Sequence, residues 1–221
     1  MGRHGSEDEP LGKVDIAISP ANSDRLWVMQ QTQRDESGGL YRSSDGGETW
    51  KHVNNEHRLR QRAWYYTHIF ADPQDQETVF VLNTGFYKST DAGESFDEID
   101  VPHGDVHSLW QNPNNPDIMV NSNDGGANVS VNGGKTWTTQ RNQPTAEFYR
   151  VEVDDQFPYR VYGAQQDNST ISVPNKMPGD VSPKQYWYSV GGGESGHIAV
   201  HPNDSDVVYA GSYSGEITRF H

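Results

Sequence analysis

Along this chain, short apolar runs are broken at regular places by turn residues. Ile16–Ile18 is followed by Ser19, Pro20, Ala21, Asn22, Ser23 and Asp24, and a second apolar run resumes at Leu26–Val28. The same unit returns as Ile69–Ala71, Asp72-Pro73 and Val79–Val81, and again as Leu109-Trp110, Asn112-Pro113 and Ile118–Val120. A degenerate copy runs from Val151–Val153 through Asp154-Asp155 to Val161-Tyr162, and another from Ile198–Val200 through Pro202 to Val207–Tyr209. Short runs of two or three apolar residues bounded by Pro, Asn and Asp are strand signals, and short strands are expected instead of long helices. The pattern predicts five antiparallel meanders with first strands near residues 13, 67, 105, 148 and 197.

A second repeat stands in phase with the first. Ser43-x-Asp45-x-Gly47-x-Thr49-Trp50 recurs as Ser89-x-Asp91-x-Gly93-x-Ser95-Phe96 and as Ser130-x-Asn132-x-Gly134-x-Thr136-Trp137. Each copy follows a strand (Leu40–Arg42, Phe86–Lys88, Asn128-Val129) and so reads as the hairpin turn between third and fourth strands. The chemistry suits a turn: an Asx side chain can accept backbone N–H bonds, and glycine takes a positive φ. The closing aromatics Trp50, Phe96 and Trp137 are expected to be buried between neighbouring sheets. Asp45, Asp91 and Asn132 are therefore structural. A period of roughly 40 to 50 residues with four strands per unit is that of a β-propeller. The expected architecture is all-β, with about five four-stranded blades at 13–60, 61–100, 101–143, 144–190 and 191–221. The last blade ends at its third strand, near Ile217, and the array reads as a part of a larger propeller. An unpaired outer strand there invites self-association.

Composition narrows the partners. The formal net charge of -14 repels nucleic-acid phosphates and anionic lipid heads. No apolar run approaches membrane-spanning length. With no cysteine, disulfides and thiolate metal sites are excluded. Residues 1–12 read as a polar tail, partly vector-derived, with no signal peptide.

The three Asp boxes resemble those of the Asp-box (BNR-repeat) propellers, which include sialidases, xyloglucanase-like glycosidases and the sortilin ectodomain. A nearer likeness, to large bacterial sortilin-like or glycosyl-hydrolase-like proteins, rests on Arg60–Tyr66, Pro102–His107, Asn123–Gly126, Tyr162–Asn168 and Trp187–Glu194. It spans about residues 12 to 221. Those relatives are much longer, so this chain resembles a partial or reduced version. The likeness implies a glycan or peptide ligand, an extracytoplasmic or secreted setting, and glycoside hydrolysis as the alternative activity. No cofactor is expected, with a divalent metal as the alternative at His103, Asp105 and His107.

In a meander, the lead-in loops of the blades and the second-to-third-strand loops emerge on the side opposite the Asp boxes. Those loops hold the chain's non-repeating polar residues: Trp64, Tyr66, His103, Asp105, His107, Asp124, Gln165, Asp167, Glu194 and His197. Carboxylates, imidazoles, amides and aromatics together make a polar-ligand surface. His103, Asp105 and His107 alternate, so an extended strand would point all three one way, as a divalent metal site or as a hydrogen-bonded plug. Hydrolysis of a glycoside would need two carboxylates flanking the bond, and Asp105, Asp124, Asp167 and Glu194 are the candidates. Arg58, Arg60 and Arg62 lie too close in sequence to form the arginine triad a sialidase draws from separate blades. Trp64, Tyr65, Tyr66 and Trp187 serve equally as sugar-stacking platforms or as inter-blade packing.

Overall fold

The computed structural model describes residues 10–140, 146–176 and 186–221, and most of the N-terminal tail lies outside them. The described residues form five antiparallel sheets, each a simple meander in chain order. The first holds β1 (Leu11–Ile18), β2 (Leu26–Thr32), β3 (Gly39–Ser43) and β4 (Lys51–Asn54). The second holds β5 (His68–Ala71), β6 (Val79–Leu82), β7 (Phe86–Ser89) and β8 (Asp97–Glu98). The third has β9 (Val106–Asn112), β10 (Asn115–Asn123) and β11 (Gly126–Ser130), with Thr138 donating its N–H to Val129 where a fourth strand would begin. The fourth contains β12 (Phe148–Val153), β13 (Arg160–Gln165), β14 (Thr170–Pro174) and β15 (Tyr188–Ser189), and the fifth β16 (Ile198–His201), β17 (Asp204–Gly211) and β18 (Ile217–Phe220). The first strands thus start at 11, 68, 106, 148 and 198. The repeat arithmetic is confirmed, including the fifth sheet that stops at its third strand. The chain divides into two compact units, residues 1–143 and 144–221.

Within the larger unit the core lies between successive sheets. Trp27, Met29 and Leu40 of the first blade pack with Ile69, Val79, Val81, Tyr87 and Phe96 of the second. Phe80, Leu82 and Phe86 pack in turn with Val106, Leu109 and Met119 of the third. In the smaller unit Tyr162, Ala164 and Val190 meet Ile198 and Val208. Strand residues alternate between faces, and within each unit the apolar face of one sheet packs on its neighbour.

The Asp boxes are turns of one design. Ser43 Oγ donates to Asp45 Oδ1 at 2.7 Å, and Asp45 accepts from Thr49 N at 2.9 Å and Thr49 Oγ1 at 2.5 Å. Asp91 repeats the set with Ser89 and Ser95, and Asn132 repeats the accepted N–H bond with Thr136. The motif glycines Gly47, Gly93 and Gly134 take φ of +94°, +93° and +85°. Each box also clasps the first turn of its own blade: Gly46 N, Ala92 N and Gly133 N donate to the carbonyls of Asp24, Glu77 and Asp117.

One packing expectation is corrected. Phe96 is buried against the first blade, and Trp137 lies 5.8 Å from the Phe86 ring of the second. Phe96 and Trp137 therefore pack on the blade before their own. Among the described residues no blade precedes the first, and Trp50 is only half-buried, its Nε1 donating to Gly47 O at 3.0 Å.

Candidate functional site

In the larger unit, the loops leading into the second and third blades meet. The chain leaves β4 through a short 3-10 turn (His57–Arg60) and a further turn ending at Tyr66. Arg58 and Arg60 are absorbed structurally. Arg58 bonds Glu56 and the Phe96 carbonyl, and buried Arg60 bonds Asp35 Oδ1 together with the carbonyls of Asp35 and Asn55. Arg62 is different. Its backbone sits at φ +53° and its guanidinium donates to Asp105 Oδ1 at 3.0 Å.

Asp105 also sits at φ +53°. Its amide donates to the Thr84 carbonyl, which fixes the loop against the turn joining β6 and β7. Its carboxylate accepts from the Tyr66 hydroxyl as well as from Arg62. Burial, reinforced by that carboxylate, pushes the Tyr66 hydroxyl well above the ordinary phenol range, so it remains a protonated donor. The left-handed turn at Asp105 also corrects the expected alternation. His103 precedes the turn and its Nδ1 lies 3.0 Å from the Gly104 carbonyl oxygen, whereas His107 lies in β9 beyond it. His103, Asp105 and His107 do not form a ligand set, and among the described residues no three His, Asp or Glu side chains stand close enough to hold a metal.

His107 pairs instead with Asp124, in the loop joining β10 and β11, at 2.6 Å from Nε2 to Oδ1. The Tyr66 ring lies 4.8 Å from the imidazole and Tyr65 meets it edge-on at 6.5 Å. Buried amides brace the loop that carries Asp124: Asn123 Nδ2 donates to Asn121 and Asn128, and Gln140 Nε2 donates to Asn123 and Asn128. Above this floor, Trp64 and Tyr65 are 73% and 54% exposed, with ring centroids 5.7 Å apart. The Arg62 guanidinium lies 5.7 Å and 5.5 Å from the Tyr65 and Tyr66 centroids. Trp64, Tyr66, Asp105, His107 and Asp124 are thus brought together.

Arg62 is the residue the sequence argument set aside. It looked like one of three crowded arginines, and the available signal was its place directly before the Trp64–Tyr66 run.

In the smaller unit, Glu194 Oε2 accepts the Asp167 backbone N–H at 2.7 Å, and Gln165 bonds locally to the Ser169 carbonyl. Asp167 and Ser195 have φ of +52° and +66°. His197 is exposed at the start of β16. Trp187 is half-buried beside β15. Of these residues, Asp167 and Glu194 are brought together within their own unit.

Known proteins resemble parts of this chain. Two curated fungal proteins align over 87 residues: an oligoxyloglucan-reducing end-specific xyloglucanase of Emericella nidulans at 30% identity and a probable one of Neosartorya fischeri at 29%. Each alignment covers 38% of this chain and 10% of the relative, so the chain matches only a small part of either. Among solved structures, YCF48 from Cyanidioschyzon merolae aligns over 97% of this chain and 68% of its own, at 17% identity and a TM-score of 0.43. YCF48 has also been solved bound to D1 peptide. The model of the Sortilin-Vps10 family (sortilin, neurotensin receptor 3) matches residues 38–210. That span takes in all three Asp boxes, the Arg62–Asp105 loops and the fourth blade, well over half of the sequence, and the chain belongs to the Sortilin-Vps10 family.

Proposed function

We propose that the lead-in loops of the larger unit bind a glycan or peptide without chemical conversion. The observation that carries this reading is the Arg62–Asp105 pair. Two non-glycine residues from different blades hold left-handed backbone and ion-pair with each other beneath two exposed aromatic rings. Such backbone persists only where surrounding contacts over-determine it, and it concentrates at ligand clamps. Trp64 and Tyr65 offer flat apolar faces to a sugar ring or a peptide side chain, while Arg62, His107 and Asp124 supply directional polar contacts.

Hydrolysis is less well supported. Asp105 is held by Tyr66 and Arg62, and Asp124 by His107, so neither is a free carboxyl poised over a bond. Binding to immobilised oligosaccharide and peptide panels, with reducing-sugar release measured in parallel, separates the two. The expected outcome is saturable binding that Trp64→Ala weakens tenfold or more, with no sugar released. Release abolished by Asp105→Asn would replace the binding reading with the enzymatic one.

A further inference from the structure

The first turns of adjacent blades are tied together throughout the larger unit. Between the first and second blades, Asn22 Nδ2 donates to Gln76 Oε1 at 2.6 Å, and Arg25 pairs with Glu77 at 2.7 Å. Between the second and third, two carboxamides exchange. Gln74 Nε2 donates to the Pro113 carbonyl at 2.9 Å, and Gln111 Nε2 donates to Asp72 Oδ2 at 3.0 Å.

The smaller unit repeats both turns residue for residue. Asp72 N donates to the Thr78 carbonyl and Gln74 N to Asp72 Oδ1; likewise Asp154 N donates to the Arg160 carbonyl and Gln156 N to Asp154 Oδ1. Asn114 N donates to the Asn112 side chain, and Asn203 N to His201 Nδ1 in the same way. Gln156 therefore stands where Gln74 does, and Pro202 where Pro113 does. The place of Gln111 is taken by Val200, which has no amide to give. Asp154 draws its partners from within its own blade instead: the Gln156 side chain folds back onto Oδ2 at 2.6 Å, and Tyr162, in the place of Phe80, donates at 2.7 Å. Among the described residues no hydrogen bond ties these two turns, and between them lies a cleft of about 510 Å³.

The lining is sorted by chemistry. Val153, Val200 and Pro202 supply apolar lining, while exposed Asp155 and Asp204 come from opposite turns, with His201, Asn203 and Gln156 beside them. What the swap removed is the amide that donates to Asp72 Oδ2 in the larger unit, while the Gln156 amide, turned back onto Asp154, does not make the bridge to Pro202's carbonyl that Gln74 makes to that of Pro113. We propose that this cleft binds a cationic N–H donor on an aliphatic stem, namely the guanidinium of an arginine side chain presented by a peptide. The stem lies along the valines and proline, and the planar head spans the carboxylates of the two turns, as a fork of donors suits. The cleft belongs to the two first turns of the smaller unit, so it is distinct from the Trp64–Asp105 loops and does not depend on their ligand.

The test uses the full chain and N-acetyl-arginine amide, followed by backbone amide chemical shifts. Saturable shifts are expected at Gln156, His201 and Asn203, with N-acetyl-citrulline amide, isosteric but neutral, at least tenfold weaker. Asp204→Asn and Asp155→Asn, at exposed positions, should each weaken binding severalfold without unfolding the chain. Val200→Gln restores the carboxamide of the closed pair and should abolish binding. Equal shifts from arginine and citrulline, or full binding by both aspartate variants, would overturn the proposal. So would full binding by a folded Val200→Gln protein.

Discussion

Asp45 and Asp105 both sit in turns at strand ends, and the comparison between them separates the scaffold from the site. Asp45 finds every partner within four residues, in Ser43 and Thr49, and the pattern recurs at Asp91. Asp105 takes its partners from 39 and 43 residues away, in Tyr66 and Arg62 of another blade. An Asp-box carboxylate serves the backbone of its own hairpin, so any blade can repeat it. The Asp105 carboxylate serves side chains that its pair of blades brings together, so it is not part of the repeat. The first kind builds, and the second is available to recognise.

The largest effects that could break this comparison lie in the packing that both regions share. Phe96→Ala should cost about 3 to 5 kcal/mol, as for a large buried aromatic. Trp50→Ala, at the same motif position but half-buried, should cost less than half of that. Urea denaturation of the two variants would show it, and equal losses would mean that the closing aromatic acts within its own turn instead of against the preceding blade.

Tyr66→Phe removes one donor from Asp105 while Arg62 remains, and a loss of about 1 kcal/mol is expected, with weaker ligand binding. Melting curves beside the binding panel would separate the two losses. Binding that held at full strength after this change would detach the buried floor from the exposed rings.

The two regions should also part with pH. The Thr49 hydroxyl, the Thr49 amide and Ser43 hold Asp45 down at about 2, and Asp91 reaches about 2 because Ser95 and Ser89 outweigh the opposing effect of its partial burial. A folded value below the unfolded one near 3.8 means that this stabilisation is complete above about pH 5. It drains away as pH falls from about 4 towards 2. Asn132 cannot titrate, so its box is indifferent to acid. Melting temperature followed against pH should fall over that window, and the double variant Asp45→Asn with Asp91→Asn should flatten the fall. An unchanged slope would show that the boxes are not the acid-sensitive element.

The smallest effect on stability is expected at Trp64→Ala, within about 0.5 kcal/mol because the ring is exposed. Thermal melts should barely move. A large destabilisation would turn Trp64 from a ligand platform into packing.

What the sequence determined by itself was the local chemistry of the repeat. Strand starts, turn positions and the Ser-x-Asp-x-Gly boxes all depend on contacts within a few residues, so alternation and turn composition revealed them. It also singled out Trp64, Tyr66, Asp105, His107 and Asp124, whose contacts the structure then supplies. Tertiary structure decided the rest. The left-handed φ of Asp105 broke the His103–His107 alternation, because Arg62 and Tyr66 hold the carboxylate from a different blade. Trp50 and Phe96 occupy one motif position but differ in burial, because Phe96 packs on the first blade while the Trp50 indole bonds to the Gly47 carbonyl of its own turn. Val200 in the place of Gln111 is one unremarked apolar residue until the partner turn is seen beside it. In each case the deciding neighbour lies about forty or more residues away, where no short-range pattern reaches.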